Sequence, residues 1–263
     1  MTIGGVSCGP VTISDSTRAG WVSVANGPLS LRCWWSRPAG ETHDIDAISS
    51  LNRVYIVLPE VFGVNGWVRS VADRLAAEGI PALAVPLFAR TAPDLELGYE
   101  MSDLALGRRH KDATTTAQIL SDVSAAIAWL QQRYPAAALD LVGFCFGGHA
   151  ALLAATLPQV RRSFDFYGAG VSRMRPGGGP PSLQLLPQVT GELVCLFGAA
   201  DPLIPEADRS AINAALAAVD PLGQRLRSIE IAAADHGFMC EERSSFNAEA
   251  SKLGWQLLLE SEA

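Results

Sequence analysis

The stretch LVGFCFGGHA, residues 141–150, decides how this chain is read. Leu141 and Val142 end a buried strand, Gly143-x-Cys145-x-Gly147 reads as a tight turn, and a helix continues through Leu153. An inert buried thiol would need no glycines around it. A nucleophile on a sharp strand-to-helix elbow does, because its backbone is strained and flanking glycines let strand and helix approach without Cβ clashes. The side chain then projects above the sheet at a helix N-terminus, where free amides favour negative charge.

Outward from the elbow, strands and helices alternate. Upstream, Val22–Ala25 and Leu29–Trp35 flank Asn26-Gly27, a hairpin or tight turn, and the polar connection ETHDIDAISS leads to the apolar strand Val54–Leu58. Gly66–Glu78 reads as a helix stopped by Gly79, and Pro81–Val85 as a strand. Residues 87–112 read as a long mixed segment. Ala113–Arg133 has Ile119, Val123, Ile127 and Leu130 at helical spacing, and Leu139–Phe144 is the elbow strand. Downstream come strands Ser163–Tyr167 and Glu192–Phe197, separated by the loop SRMRPGGGPPS, then a helix over Glu206–Ala218, a strand over Leu226–Ile231 and a closing helix over Asn247–Leu259. Repeated β-α-β order predicts an α/β fold: a mainly parallel, twisted sheet with helices on both faces, a three-layer α-β-α sandwich. The expected organisation is one domain over residues 1–263, with roughly 20 irregular residues at the N-terminus. Ligands of such sheets bind at the carboxyl ends of the strands.

Composition narrows the classes. Of 263 residues, 49% are apolar and 18% charged, enough for a two-sided core and unlike a disordered chain. A net charge of −7 argues against nucleic acid or anionic membranes as partners. No apolar run approaches a spanning helix, and MTIGGVSCGP lacks the basic and hydrophobic regions of an export signal. Five cysteines (8, 33, 145, 195, 240) are an odd number without metal-ligand spacing, so neither metal nor organic cofactor is expected. A reduced, cytoplasmic setting suits a working thiol.

Three strand ends supply a nucleophile, an acid and a base. Cys145 follows one strand, Asp201 another in LFGAADPLIP, and His236 the last in IAAADHGFMC. That chain order is the order of α/β-hydrolases. A thiol needs a neighbouring base to supply thiolate; an imidazole takes that proton and later gives it to a leaving group; a carboxylate holds the imidazole in the right tautomer. Asp235, beside His236, is the rival for the acid, but its adjacency in sequence points it elsewhere. Glu60, in LPEVFGVNGW, ends a central strand, where a carboxylate is unfavourable unless paired, protonated or used. Its loop is where a hydrolase draws its second oxyanion-hole amide, the first coming from the residue after the nucleophile. The backbone N–H groups of Val61 and Phe146 are therefore the candidate oxyanion hole.

The segments PEVFGVN, PLFAR, GFCFGG, FGAADPLIP and DHGF, in this order, resemble the dienelactone hydrolase family from about residue 52 to the end. The resemblance implies a cysteine-dependent α/β-hydrolase that opens an unsaturated, carboxylated lactone. It implies Cys145 as nucleophile, His236 as base, Asp201 as orienting acid, and Glu60 as a carboxylate that helps switch the thiol to thiolate. It also implies Arg90, in PLFAR, as a ligand of the substrate carboxylate. One departure matters: family members carry a second substrate-binding arginine four residues after the histidine, where this chain has Cys240. Arg243, three residues further on, is a candidate to reach the same place. Tyr167, in FYGAG, either lines the pocket or packs at the edge of the core.

Other features read as structural: His149 as helix packing one turn after Cys145, Cys195 as core, His43 and His110 as polar loop residues, and Gly177–Gly179 as a turn without phosphate-loop context. The expected function is hydrolysis of a small-molecule carboxylic ester, a lactone or enol ester, through a thioester on Cys145, by a monomer or small homo-oligomer. A broader esterase or thioesterase, a non-catalytic ligand binder and a redox-sensing thiol are the alternatives.

Overall fold

The computed structural model of the protein describes residues 17–39 and 53–260; ETHDIDAISS, Cys8 and His43 lie outside the described residues. Strands β1 (Thr17–Asn26) and β2 (Leu29–Pro38) form an antiparallel hairpin turned at Gly27, whose φ of +60° is a conformation glycine adopts without strain. Both strands are longer than the apolar runs suggested. Thr17–Gly20, expected to be irregular, pair in register with Trp35–Pro38.

The rest of the sheet is β3 (Arg53–Leu58), β4 (Ala82–Ala84), β5 (Ala138–Phe144), β6 (Val160–Phe166), β7 (Glu192–Gly198) and β8 (Leu226–Ile231). All eight strands form one sheet in the order β1-β2-β4-β3-β5-β6-β7-β8. From β4 to β8 every pairing is parallel, and β1 and β2 add an antiparallel edge. Parallel strands buried on both faces need apolar side chains on both, as the run VYIVL in β3 supplies. Val54, Ile56 and Leu58 enter the core on one face with Ile119, Val123, Ile127 and Leu130. Tyr55 and Val57 enter the other with Trp67, Val71, Leu75, Trp255 and Leu258. Each such side chain removed from water contributes about 1.5–3 kcal/mol.

The helices are α1 (Gly66–Ala77), α2 (Met101–Asp112), α3 (Thr116–Gln131), α4 (Phe146–Ala154), α5 (Glu206–Val219) and α6 (Ala248–Leu259). Helix α3 starts three residues later than its hydrophobic periodicity suggested, because Thr115 and Gln118 form a reciprocal capping box. Helix α2 was read as part of a mixed segment. It has no apolar stripe, and Gly107 is its one buried residue, so the periodicity that betrays a core helix is absent. A 3₁₀ helix (Ser182–Gln188) follows the glycine-rich loop. Among the described residues, no helix is long and apolar enough to cross a membrane.

Candidate active site

The elbow has the strain its sequence implied. Cys145 sits at φ +55°, ψ −116°, a region in which a residue with a Cβ is held only by its surroundings. Its amide donates to Phe166 O at 3.0 Å, and its carbonyl accepts from His149 N at 3.1 Å. The flanking glycines permit the turn. A Cβ on Gly143 would lie 1.8 Å from Gly147 O, and one on Gly147 would lie 2.2 Å from Leu58 O. Cys145 thereby stands at the N-terminus of α4, where the first amides have no intrahelical acceptor.

His236 and Asp201, on the loops after β8 and β7, meet beside it. His236 Nδ1 is 2.8 Å from Asp201 Oδ2, and both side chains are buried. The other oxygen, Asp201 Oδ1, accepts Leu203 N at 2.8 Å, so the carboxylate is fixed from both sides. Asp235 is exposed and its carboxylate accepts the His236 amide instead of addressing the ring. His236 Nε2 is buried and has no hydrogen-bond partner among the described residues. Cys145 is the group it senses. Burial alone would lower the His236 pKa, but the Cys145 charge, the Asp201 hydrogen bond and contact with the Cys145 sulfur outweigh it, and the pKa rises to about 10.

Glu60 is fully buried at the end of β3. Its Oε1 accepts Arg243 Nη1 at 2.7 Å, while Oε2 is unpartnered. Burial pushes its pKa up, against the opposing charges of Arg243 and His236. The carboxylate's hydrogen-bonded partner is thus Arg243 rather than the Cys145 thiol. The Arg243 guanidinium lies flat against the chain just after the histidine: a Cβ on Gly237, at φ +86°, would fall 2.5 Å from Arg243 Nη1. Cys240 is buried beside Tyr99, and burial and the nearby Glu60 charge push its thiol up to about 12.

These groups open on a cavity of about 320 Å³. Cys145, His236, Val61 and Phe146 line its reactive end, and Arg243 is on its wall. Two sequence candidates are placed elsewhere. Arg90 turns into α3, its Nη1 2.6 Å from Asp122 Oδ2, and does not line the cavity. The reason is electrostatic: Asp122 is fully buried, and a carboxylate there needs a cation. Tyr167 is fully buried at φ +44°, its ring 5.2 Å from the His236 ring and 5.1 Å from Phe238, so of its two readings the core-edge packing is the arrangement observed. His149 packs as expected, with Nε2 2.7 Å from Ser182 Oγ and Nδ1 3.1 Å from Ala169 O. Cys195 is core.

Sequence reasoning missed one wall of the cavity, formed by Leu104, Arg108 and Lys111 of α2 together with Arg173 and Met174. The available signal was electrostatic. Glu100 and Asp103 open α2 and Arg109, His110 and Lys111 close it, complementing the helix dipole.

The sequence profile of the dienelactone hydrolase family matches residues 47–261. The chain belongs to the dienelactone hydrolase family. A Synechocystis sp. protein named "Putative carboxymethylenebutenolidase" is 40% identical over 205 residues, 77% of this chain and 82% of its own length. The carboxymethylenebutenolidase of Pseudomonas putida is 28% identical over 207 residues, 76% of this chain and 80% of its own. Among solved structures, one titled as a putative dienelactone hydrolase from Klebsiella pneumoniae superposes with a TM-score of 0.80 at 26% identity, covering 93% of this chain and 97% of that one. As a dienelactone hydrolase family member the chain is a hydrolase of lactone or ester bonds in the α/β-hydrolase fold.

Proposed function

We propose that the protein hydrolyses small-molecule carboxylic esters, lactones or enol esters, through a Cys145–His236–Asp201 triad and a thioester on Cys145. The observation that carries this reading is the His236–Asp201 pair at 2.8 Å, with the free Nε2 of the same ring sharing a cavity and a charge coupling with Cys145. In the proposed course, Cys145 Sγ attacks the acyl carbon while the Val61 and Phe146 amides receive the developing oxyanion. The acyl C–O bond breaks as His236 Nε2 protonates the departing oxygen. Water, deprotonated by the same nitrogen, then attacks the thioester carbon; the thiolate leaves and the acid is released. Asp201 keeps Nδ1 protonated so that Nε2 carries out both transfers. Thiolate leaves readily from a tetrahedral intermediate, so activated esters with good leaving groups suit it better than peptides. Glu60, whose Oε2 is buried and unpaired, is the carboxylate through which the thiol's protonation responds to substrate. The free thiols of Cys33, Cys145, Cys195 and Cys240 fit a reducing, cytoplasmic setting.

A broader esterase activity is the second reading. It is favoured by Arg90 being engaged by Asp122, and by Cys240 standing where the resemblance calls for an arginine. Hydrolysis of cis- and trans-dienelactone beside 4-nitrophenyl acetate and an acyl thioester separates the two. Turnover confined to the lactones supports the narrow reading, comparable turnover of all supports the broad one, and a Cys145→Ala variant with undiminished activity would refute both.

A further inference from the structure

The two arginines that sequence places nearest the chemistry both have carboxylates of their own: Arg90 is bound to Asp122, and Arg243 to Glu60. The cavity's remaining lining cations are Arg108, Lys111 and Arg173. Leu104, Arg108 and Lys111 fall at i, i+4 and i+7, one stripe of α2 that lines the cavity. That stripe is held in place by Gly107, at which a Cβ would lie 2.2 Å from Val61 O, so α2 rests directly on the loop that carries the candidate oxyanion amide. Arg173 faces the same space, braced by Asp208 at 3.0 Å and by Leu203 O at 3.1 Å. Lys111 reaches inward far enough for its charge to act on buried His149, although its ammonium also meets exposed Asp112 at 2.9 Å. Among the described residues, no aspartate or glutamate side chain lines the cavity.

We propose that Arg108 and Lys111, together with Arg173, bind an anionic group at the end of the substrate remote from the scissile carbonyl. Building on the hydrolase reading, the preferred substrates are half-esters of dicarboxylic acids, with the ester at Cys145 and the free carboxylate at α2. No bond is made or broken there.

The test compares mono(4-nitrophenyl) adipate and suberate with neutral 4-nitrophenyl esters of the same chain length. Wild type is expected to favour the anionic esters through KM, with an advantage that shrinks as salt is added. In R108Q/K111Q the kcat/KM for the anionic esters is expected to fall roughly tenfold, far more than for the neutral ones, as two partly exposed charge contacts are lost. R109Q, which removes one positive charge from α2 outside the cavity lining, keeps the wild-type preference. Equal losses on both ester classes, or a wild type that does not favour the anion, would overturn the proposal. Calorimetric titration of Cys145→Ala with adipate decides the site apart from the chemistry. Binding that disappears in C145A/R108Q/K111Q upholds the anion site even if no ester is turned over, in which case the hydrolase reading alone fails. No adipate binding rejects the site.

Discussion

Arg243 Nη1 stands 2.7 Å from Glu60 Oε1, joining residues 183 positions apart in sequence across the reactive end of the cavity. Arg243 opposes, without cancelling, the burial that pushes this fully buried carboxylate toward protonation. Arg243→Leu should therefore leave an uncompensated buried charge and lower stability by about 3–5 kcal/mol at neutral pH. The sign with pH follows from the raised Glu60 pKa. A carboxyl whose folded pKa lies above its unfolded value loses stability as pH rises between the two, so acidification should restore part of the loss. Urea melts of Arg243→Leu and Arg243→Leu/Glu60→Gln across pH check both points, the double variant being expected to recover much of the stability.

Removing the proposed nucleophile should separate chemistry from fold. Cys145→Ala is expected to abolish ester turnover while Tm stays near wild type, because the elbow is held by Cys145 N–Phe166 O and by the glycines rather than by the thiol. An active-ester probe that labels wild type once per chain and fails to label the variant is the direct measurement.

Asp201→Asn keeps the shape of the His236 contact but removes the charge that fixes the ring's tautomer. In the proposed mechanism kcat should fall by about three to four orders of magnitude with little change in KM. Asp235→Asn, at the exposed neighbour, should leave kcat within about twofold of wild type.

His236 offers a spectroscopic check. Its pKa of about 10 draws more on the Cys145 charge than on any other favourable interaction. Ring titration by NMR should place it well above the ordinary histidine value of about 6.5, and clearly lower in Cys145→Ala. A histidine raised in this way contributes stability that is fully present below its unfolded pKa and fades as pH climbs through about 10.

Most of the scaffold was legible because it is written in short-range chemistry. β3 and the elbow strand need little more than apolar runs, and α1 and α6 need only periodicity with a polar cap. Cys145, Asp201 and His236 could be named because each follows a strand whose end faces the same side of a parallel sheet. Where Arg90 and Arg243 point was not legible. An arginine's partner is chosen by which buried carboxylate the fold brings within reach, Asp122 in one case and Glu60 in the other, and neither is near in sequence. Helix α2 was hidden for the opposite reason: it buries almost nothing, so it leaves no hydrophobic rhythm to read.

Gly107→Ala is the substitution that tests this weak attachment. A methyl there meets Val61 O at 2.2 Å, so α2 must shift or the loop must yield, with a loss of about 1–3 kcal/mol. Thermal melts and turnover measured together should show activity falling further than stability, since Val61 supplies a candidate oxyanion amide.

A helix that buries a single glycine, and otherwise meets the body of the protein through Leu104 and His110, can be rewritten widely along the rest of its length. Its outward side chains answer to solvent and to whatever enters the pocket, while the thiol, imidazole and carboxylate are anchored to the strands. On the proposed reading, charge on α2 can change one residue at a time and alter appetite without disturbing the centre assigned to the cutting.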